Sequence, residues 1–189
     1  MSAPEHLTMD QATLSAARDG DMEAWERIYR RFEKPVYSLA YRLCAHPEEA
    51  MEVMQDTFIH AFEKLHQFRG DSPFWPWLRR VAVTQSLMRL RRERLHRFWP
   101  TRAPRLDECE PDRAGDGLDL SLALSRLPDT ARAVVWLHDV EGYTHGEIAA
   151  FMGRTESFSK TQLSRARARL RARLDPEAEG TTCEAMIRG

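Results

Sequence analysis

The stretch Thr144-His145-Gly146-Glu147-Ile148-Ala149-Ala150-Phe151-Met152-Gly153, followed by the basic run Ser157-Phe158-Ser159-Lys160-Thr161-Gln162-Leu163-Ser164-Arg165-Ala166-Arg167, decides how this chain folds. Thr144 and Glu147 are spaced as a capping box, in which each side chain satisfies a free backbone amide of the other. The spacing predicts a short helix over residues 146–152, ended by Gly153, and a long basic helix over 157–174. Ile148, Ala149 and Met152 would pack the first helix onto the second through Leu163 and Ala166. A short capped helix, a glycine turn and a long basic helix make a helix-turn-helix, whose second helix enters the major groove. Ser159, Lys160, Gln162 and Arg165 come early enough on it to approach base edges, where a bidentate contact contributes ~1–3 kcal/mol of discrimination. Arg167, Arg169, Arg171 and Arg173 continue the basic surface toward the phosphates. The same residues would also suit a solvated surface helix of an ordinary bundle.

Helical periodicity extends upstream, with no run of alternating strand residues. Helices are predicted over residues 118–126 and from Pro128 onward, the latter burying Ala131, Val134, Val135 and Leu137. Between about residues 99 and 117 the periodicity stops; Pro100, Pro104, Pro111, Gly115 and Gly117 interrupt it and acids accumulate, so residues 98–117 read as a flexible acidic linker. A first unit is expected over 19–97. Trp25, Ile28, Tyr29, Phe32, Val36, Leu39, Ala40 and Leu43 fall on one helical face, with a kink or two abutting helices at Pro35. A second helix over 47–65 would bury Ala50, Val53, Met54, Phe58, Ala61, Phe62 and Leu65. A third would start with Ser72 as N-cap and Pro73 as its first residue, burying Trp77, Leu78, Val81, Ala82 and Leu90. Residues 1–18 and 175–189 read as tails. The expected fold is all-α: two small helical domains, 19–97 with three helices and 118–174 with four, joined by the linker.

The formal net charge is only −1, but its distribution is uneven. Residues 79–105 hold nine arginines against Glu93; Asp107, Glu108, Glu110, Asp112, Asp116 and Asp119 follow with only Arg113 between them; residues 154–173 are basic again. Alternating blocks of this size suggest surfaces with separate partners. No segment approaches the ~18 apolar residues of a membrane span, and the N-terminus lacks the apolar core of a signal peptide. Cys44, Cys109 and Cys183 fit neither a zinc pattern nor a disulfide framework, which points to the cytoplasm. The seven histidines show no ligand spacing. With no phosphate loop and no nucleophile constellation, the chain carries no sign of an enzyme, a metal or a cofactor.

In the first unit, Phe68-Arg69-Gly70-Asp71-Ser72-Pro73-Phe74-Trp75-Pro76-Trp77 sets aromatic and polar groups before a basic helix. Such a loop suits unpaired bases, which stack on aromatic faces for ~1–3 kcal/mol each; Trp77 and Phe68 are better core candidates than Trp75. The acidic outer face of the preceding helix could dock on a basic protein. The strings Glu49-Ala50-Met51-Glu52-Val53-Met54-Gln55-Asp56-Thr57-Phe58, Phe68-Arg69-Gly70-Asp71-Ser72 and Trp77-Leu78-Arg79-Arg80-Val81-Ala82 resemble region 2 of the sigma-70 family, and more closely its extracytoplasmic-function (ECF) group, which keeps only regions 2 and 4. Leu127-Pro128, Val140-Glu141-Gly142-Tyr143-Thr144, Glu147-Ile148-Ala149 and Lys160 with Arg165-Ala166-Arg167 resemble region 4.

The resemblance implies a subunit that directs RNA polymerase to promoters. Glu48, Glu49, Glu52, Gln55 and Asp56 would dock on the clamp helices of the beta-prime subunit, with the beta flap as a further polymerase contact. Phe68, Arg69, Gly70, Asp71 and Ser72 would capture a flipped base of the −10 element, helped by Trp75, Arg79, Arg80, Thr84, Arg91 and Arg92. Thr144, Ser157, Ser159, Lys160, Gln162, Arg165, Arg167 and Arg169 would meet the −35 element. The acidic linker would thread toward the RNA path, and an anti-sigma protein would restrain the free factor. Met51 stands where the family often has an acid, Thr84 and Met88 replace a common asparagine and aspartate, and Ser157-Phe158-Ser159-Lys160 stands for the common Gly-Thr-Val-Lys. Promoter sequence is therefore not legible here. Phosphorylation of Thr57 could supply the charge missing at Met51; Cys183, with no adjoining base, reads as an inert tail thiol. A stand-alone helix-turn-helix regulator, binding duplex DNA as a dimer, is the alternative, but it leaves the 68–77 stretch unexplained.

Overall fold

The computed structural model describes residues 7–96 and 117–174, and its regular elements there are all helical. The chain divides into two compact units, Met1–Leu95 and His96–Gly189.

Among the described residues the first unit holds four α-helices, one more than the periodicity predicts. The extra one, α1 (Gln11–Arg18), lies in what reads as an N-terminal tail. Asp10 caps it, accepting from the Thr13 amide at 2.7 Å and the Thr13 hydroxyl at 2.8 Å, and Leu14 and Ala17 are buried. An eight-residue helix is not stable alone, so its formation depends on neighbours: the Trp25 indole donates to the Ala17 carbonyl at 2.9 Å, and Arg18 donates to the Phe68 carbonyl at 2.5 Å. Then come α2 (Met22–Cys44), α3 (Pro47–Lys64), a 3-10 turn (Leu65–Gln67) and α4 (Phe74–His96).

Helix α2 runs as one element through Pro35, in place of two abutting helices. Proline removes one hydrogen bond from the ladder, but Phe32, Val36 and Leu39 on either side are all buried, and that packing outweighs the loss. Phe62, expected inside, is 48 % exposed; its ring leans on Trp25 with centroids 4.7 Å apart. Helix α4 begins at Phe74 rather than Pro73. Pro76 instead occupies the first turn, where its missing amide would have had no partner. The core centres on Phe74, fully buried between Phe32 (5.3 Å), Phe68 (5.5 Å) and Trp77 (5.4 Å); Trp77 and Val81, expected in the core, are only half-buried.

The second unit comprises α5 (Gly117–Ser125), α6 (Asp129–Val135), a π turn (Trp136–Val140), α7 (His145–Met152) and α8 (Glu156–Leu174). Ala131, Val134, Val135 and Leu137 are buried as the periodicity predicts. Arg132 is buried too: its guanidinium donates to the Leu127 carbonyl at 3.2 Å and to Asp129 at 3.1 Å, closing the α5–α6 corner. Of the expected linker, residues 98–116 lie outside the described residues and Gly117 opens α5; the tail 175–189, with Cys183, lies outside them as well. Among the described residues no helix is long and apolar enough to cross a membrane.

Candidate nucleic-acid interface

The capping box forms as its spacing requires. The Glu147 amide donates to the Thr144 hydroxyl at 3.2 Å and the Thr144 amide donates to Glu147 at 2.9 Å. Gly153 ends α7 in the left-handed region, φ 59°, where a side chain would be strained. Ile148 and Ala149 bury against α8 through Leu163 and Ala166, while Met152 is only half-buried. This geometry presents Ser157, Lys160, Arg165 and Arg169 to solvent, with Gln162 half-exposed, and leaves Thr144 exposed at the start of α7.

One residue expected at the DNA is elsewhere. Ser159 is fully buried and lies 3.0 Å from Nδ1 of His145. The sign of this was present in the sequence, because Ser159, Leu163, Ala166 and Leu170 recur at helical steps on the inner face. Arg167, also expected there, is exposed at the surface and paired bidentately with Asp139, at 2.5 and 3.1 Å.

In the first unit the loop before α4 leaves Arg69, Asp71 and Ser72 exposed. Gly70 adopts φ +83°, a backbone conformation that favours glycine, while a Cβ there would meet only the movable end of the Gln11 side chain at 3.3 Å. Phe68, expected to meet a base, is only 5 % exposed. It is a floor beneath the loop, packed edge-on against Phe74 and held at its carbonyl by Arg18. Trp75 is half-buried and stacks on Phe32 at 5.9 Å, with one side facing outward. Along α4, Arg80, Arg91 and Arg92 are exposed and Arg79 is half-buried; the Thr84 hydroxyl donates to the Arg80 carbonyl at 2.8 Å.

Glu48, Glu52, Gln55 and Asp56 line the exposed face of α3, with Glu49 half-buried. Glu52 is ion-paired with Arg89 of α4. Exposed Met51 and Ile59 share that helix, and Ile59 is an outward apolar residue that the charge pattern did not reveal. Thr57 is fully buried, and its hydroxyl donates to the Val53 carbonyl at 2.7 Å. In the folded chain the hydroxyl is therefore shielded from a kinase. Thr57→Glu is expected to cost about 3–5 kcal/mol, because an uncompensated charge would be buried; a urea midpoint unchanged from the parent would contradict the burial.

Residues 28–96 match sigma-70 region 2 and residues 118–170 match sigma-70 region 4. The chain is 35% identical over 170 residues to the ECF RNA polymerase sigma factor SigM of Mycobacterium tuberculosis, covering 87% of this chain and 84% of that one. It belongs to the ECF sigma factors. The ECF sigma-E factor of Escherichia coli is 28% identical over 189 residues, covering 91% of this chain and 97% of its own. Among solved structures, CnrH in complex with the cytosolic domain of CnrY superposes with a TM-score of 0.51 at 26% identity, over 89% of this chain and 98% of that one. RpoE in complex with the anti-sigma factor NepR, from Bartonella quintana, shares the fold with a TM-score of 0.60 at 23% identity, over 80% and 97%.

Residues of this sigma factor that its sequence did not single out pack against α8. His138 and His145 stack with ring centroids 4.5 Å apart, and His138 Nδ1 lies 2.8 Å from Asp139. Burial pushes the Asp139 carboxyl upward, but hydrogen bonds from Arg167 and His138 outweigh it and hold the group below the ordinary carboxylate range.

Proposed function

We propose that this ECF sigma factor binds core RNA polymerase, opens promoter DNA at the −10 element through region 2 and reads the −35 element through region 4. The observation that carries the assignment of surfaces is an exposed loop, turned at Gly70, ahead of the basic helix α4, together with a capped helix-turn-helix, in one chain that matches both regions. Glu48, Glu49, Glu52, Gln55 and Asp56 dock on the beta-prime clamp helices, and region 4 meets the beta flap. Arg69, Gly70, Asp71 and Ser72 hold a base flipped from the non-template strand, flanked by Trp75, with Arg79, Arg80, Thr84, Arg91 and Arg92 along the strand above it. Thr144, Ser157, Lys160, Gln162, Arg165 and Arg169 face the −35 duplex. Opening is driven by tighter binding to the melted strand than to the duplex; no covalent step is involved. The factor works in the cytoplasm, and an anti-sigma protein restrains it, a reading supported by the anti-sigma complex of RpoE from Bartonella quintana.

Run-off transcription with purified core polymerase on pooled genomic promoter fragments tests this. Specific transcripts should appear only when the protein is added. Sequence-specific duplex binding with no core-dependent transcript would overturn it in favour of a stand-alone regulator. On a promoter so identified, Arg165→Ala should lower the log–log salt slope of binding by about 1. Arg167→Ala should lower that slope by less, because Asp139 already offsets its charge.

A further inference from the structure

The polar seam beneath the reading helix joins three elements. His145, the first residue of α7, is set against buried Ser159 on α8 and stacked on His138 of the π turn. Asp139, beside His138, grips Arg167 two turns further along α8. Ser159 is fully buried, so its hydroxyl has only protein groups to satisfy it, and an unprotonated Nδ1 of His145 is an acceptor in reach. The outward residues Lys160 and Gln162 flank this point, and their reach toward DNA depends on how the first turn of α8 is seated.

We propose that His145 is a positioning residue for the −35-reading helix, and that mild acidification unseats the start of α8 by protonating it. The inference rests on α8 being the −35 reader. A proton on Nδ1 turns the acceptor into a donor and obliges the Ser159 hydroxyl to reorient inside a packed interface. It also adds a cation to a crowded neighbourhood. His138 is stacked on the ring, Lys160 and Arg167 approach from α8, and only Glu156 acts in the opposite direction; Asp139 is already engaged by Arg167 and His138. Burial, then the charges of His138, Lys160 and Arg167, hold the imidazole below its usual titration range. The unfolded chain therefore takes up the proton first as pH falls. The seam's contribution is complete above the ordinary histidine range, and it declines as pH drops from there to the lowered folded value.

The test is binding of the holoenzyme, built with the full-length protein, to a duplex carrying the −35 segment of a promoter it transcribes, between pH 7.5 and 5.5, beside His145→Asn. Asparagine can keep a hydrogen bond to Ser159 but does not titrate. The parent should lose about five- to tenfold more affinity across this range than the variant, and by NMR the Ser159 and Lys160 amide signals of the free protein should move with the His145 ring. Identical pH profiles for parent and variant would overturn the proposal, as would a His145 titration that leaves the Ser159 amide in place. Absence of −35-specific binding by both proteins at every pH would instead overturn the reading of α8 itself.

Discussion

Glu52→Arg combined with Asp56→Arg should reduce core-dependent transcripts by about a hundredfold or more, with little change in folding. Both side chains are exposed on α3, so neither reversal opens a cavity. Glu52 does lose its ion pair with Arg89, but an exposed pair of this kind contributes only ~0–1 kcal/mol. Docked on a basic partner the same two carboxylates are desolvated, and reversing close interfacial charges costs about 2–5 kcal/mol each. The two scales separate the effects. Thermal unfolding should move by a few degrees, whereas capture of core polymerase and run-off transcription should collapse together. Normal transcription by the double variant would show that α3 does not carry the docking face.

Phe74→Ala should have the largest effect on stability. The side chain is fully buried and touches Phe32, Phe68 and Trp77. Truncating a core phenylalanine costs about 3–5 kcal/mol, which for a unit of this size corresponds to a melting temperature lower by about 15 °C or more. The consequence extends to function, because Phe74 supports Phe68, and Phe68 is the floor of the loop that carries Gly70. Trp75→Ala provides the contrast. That ring is half-buried with one stacked neighbour, so its loss should cost about 1–2 kcal/mol while still lowering promoter opening measured with a fluorescent −10 base. If Phe74→Ala melted like the parent, the aromatic cluster would not be the keystone of the first unit.

The distribution of these effects follows what was legible in the residues. Strong local signals survive in the fold: the Thr144–Glu147 capping box, the stop at Gly153, the buried stripe of α6 and the outward acids of α3. These depend on short-range spacing and on apolar periodicity, which the chain carries wherever it is placed. The two-region order, with its motifs, is enough to indicate an ECF sigma factor.

The remaining assignments needed partners distant in sequence. Helix α1 is short and weakly apolar, and it exists because Trp25 and Arg18 tie it to α2 and to the turn at Phe68. Ser159 and Arg167 sit in a basic helix whose pattern suits DNA on every side; only the arrival of His145 and Asp139 shows which of its polar groups are already engaged. Thr57 looks like an accessible hydroxyl beside an acid until the fold buries it and its hydroxyl turns to Val53. By itself, then, the sequence determined the helices with strong periodicity, the capped helix-turn-helix and the family. The tertiary structure alone decided which polar side chains face outward, because a hydrogen bond or ion pair between distant residues leaves no periodic trace in either of the segments it joins.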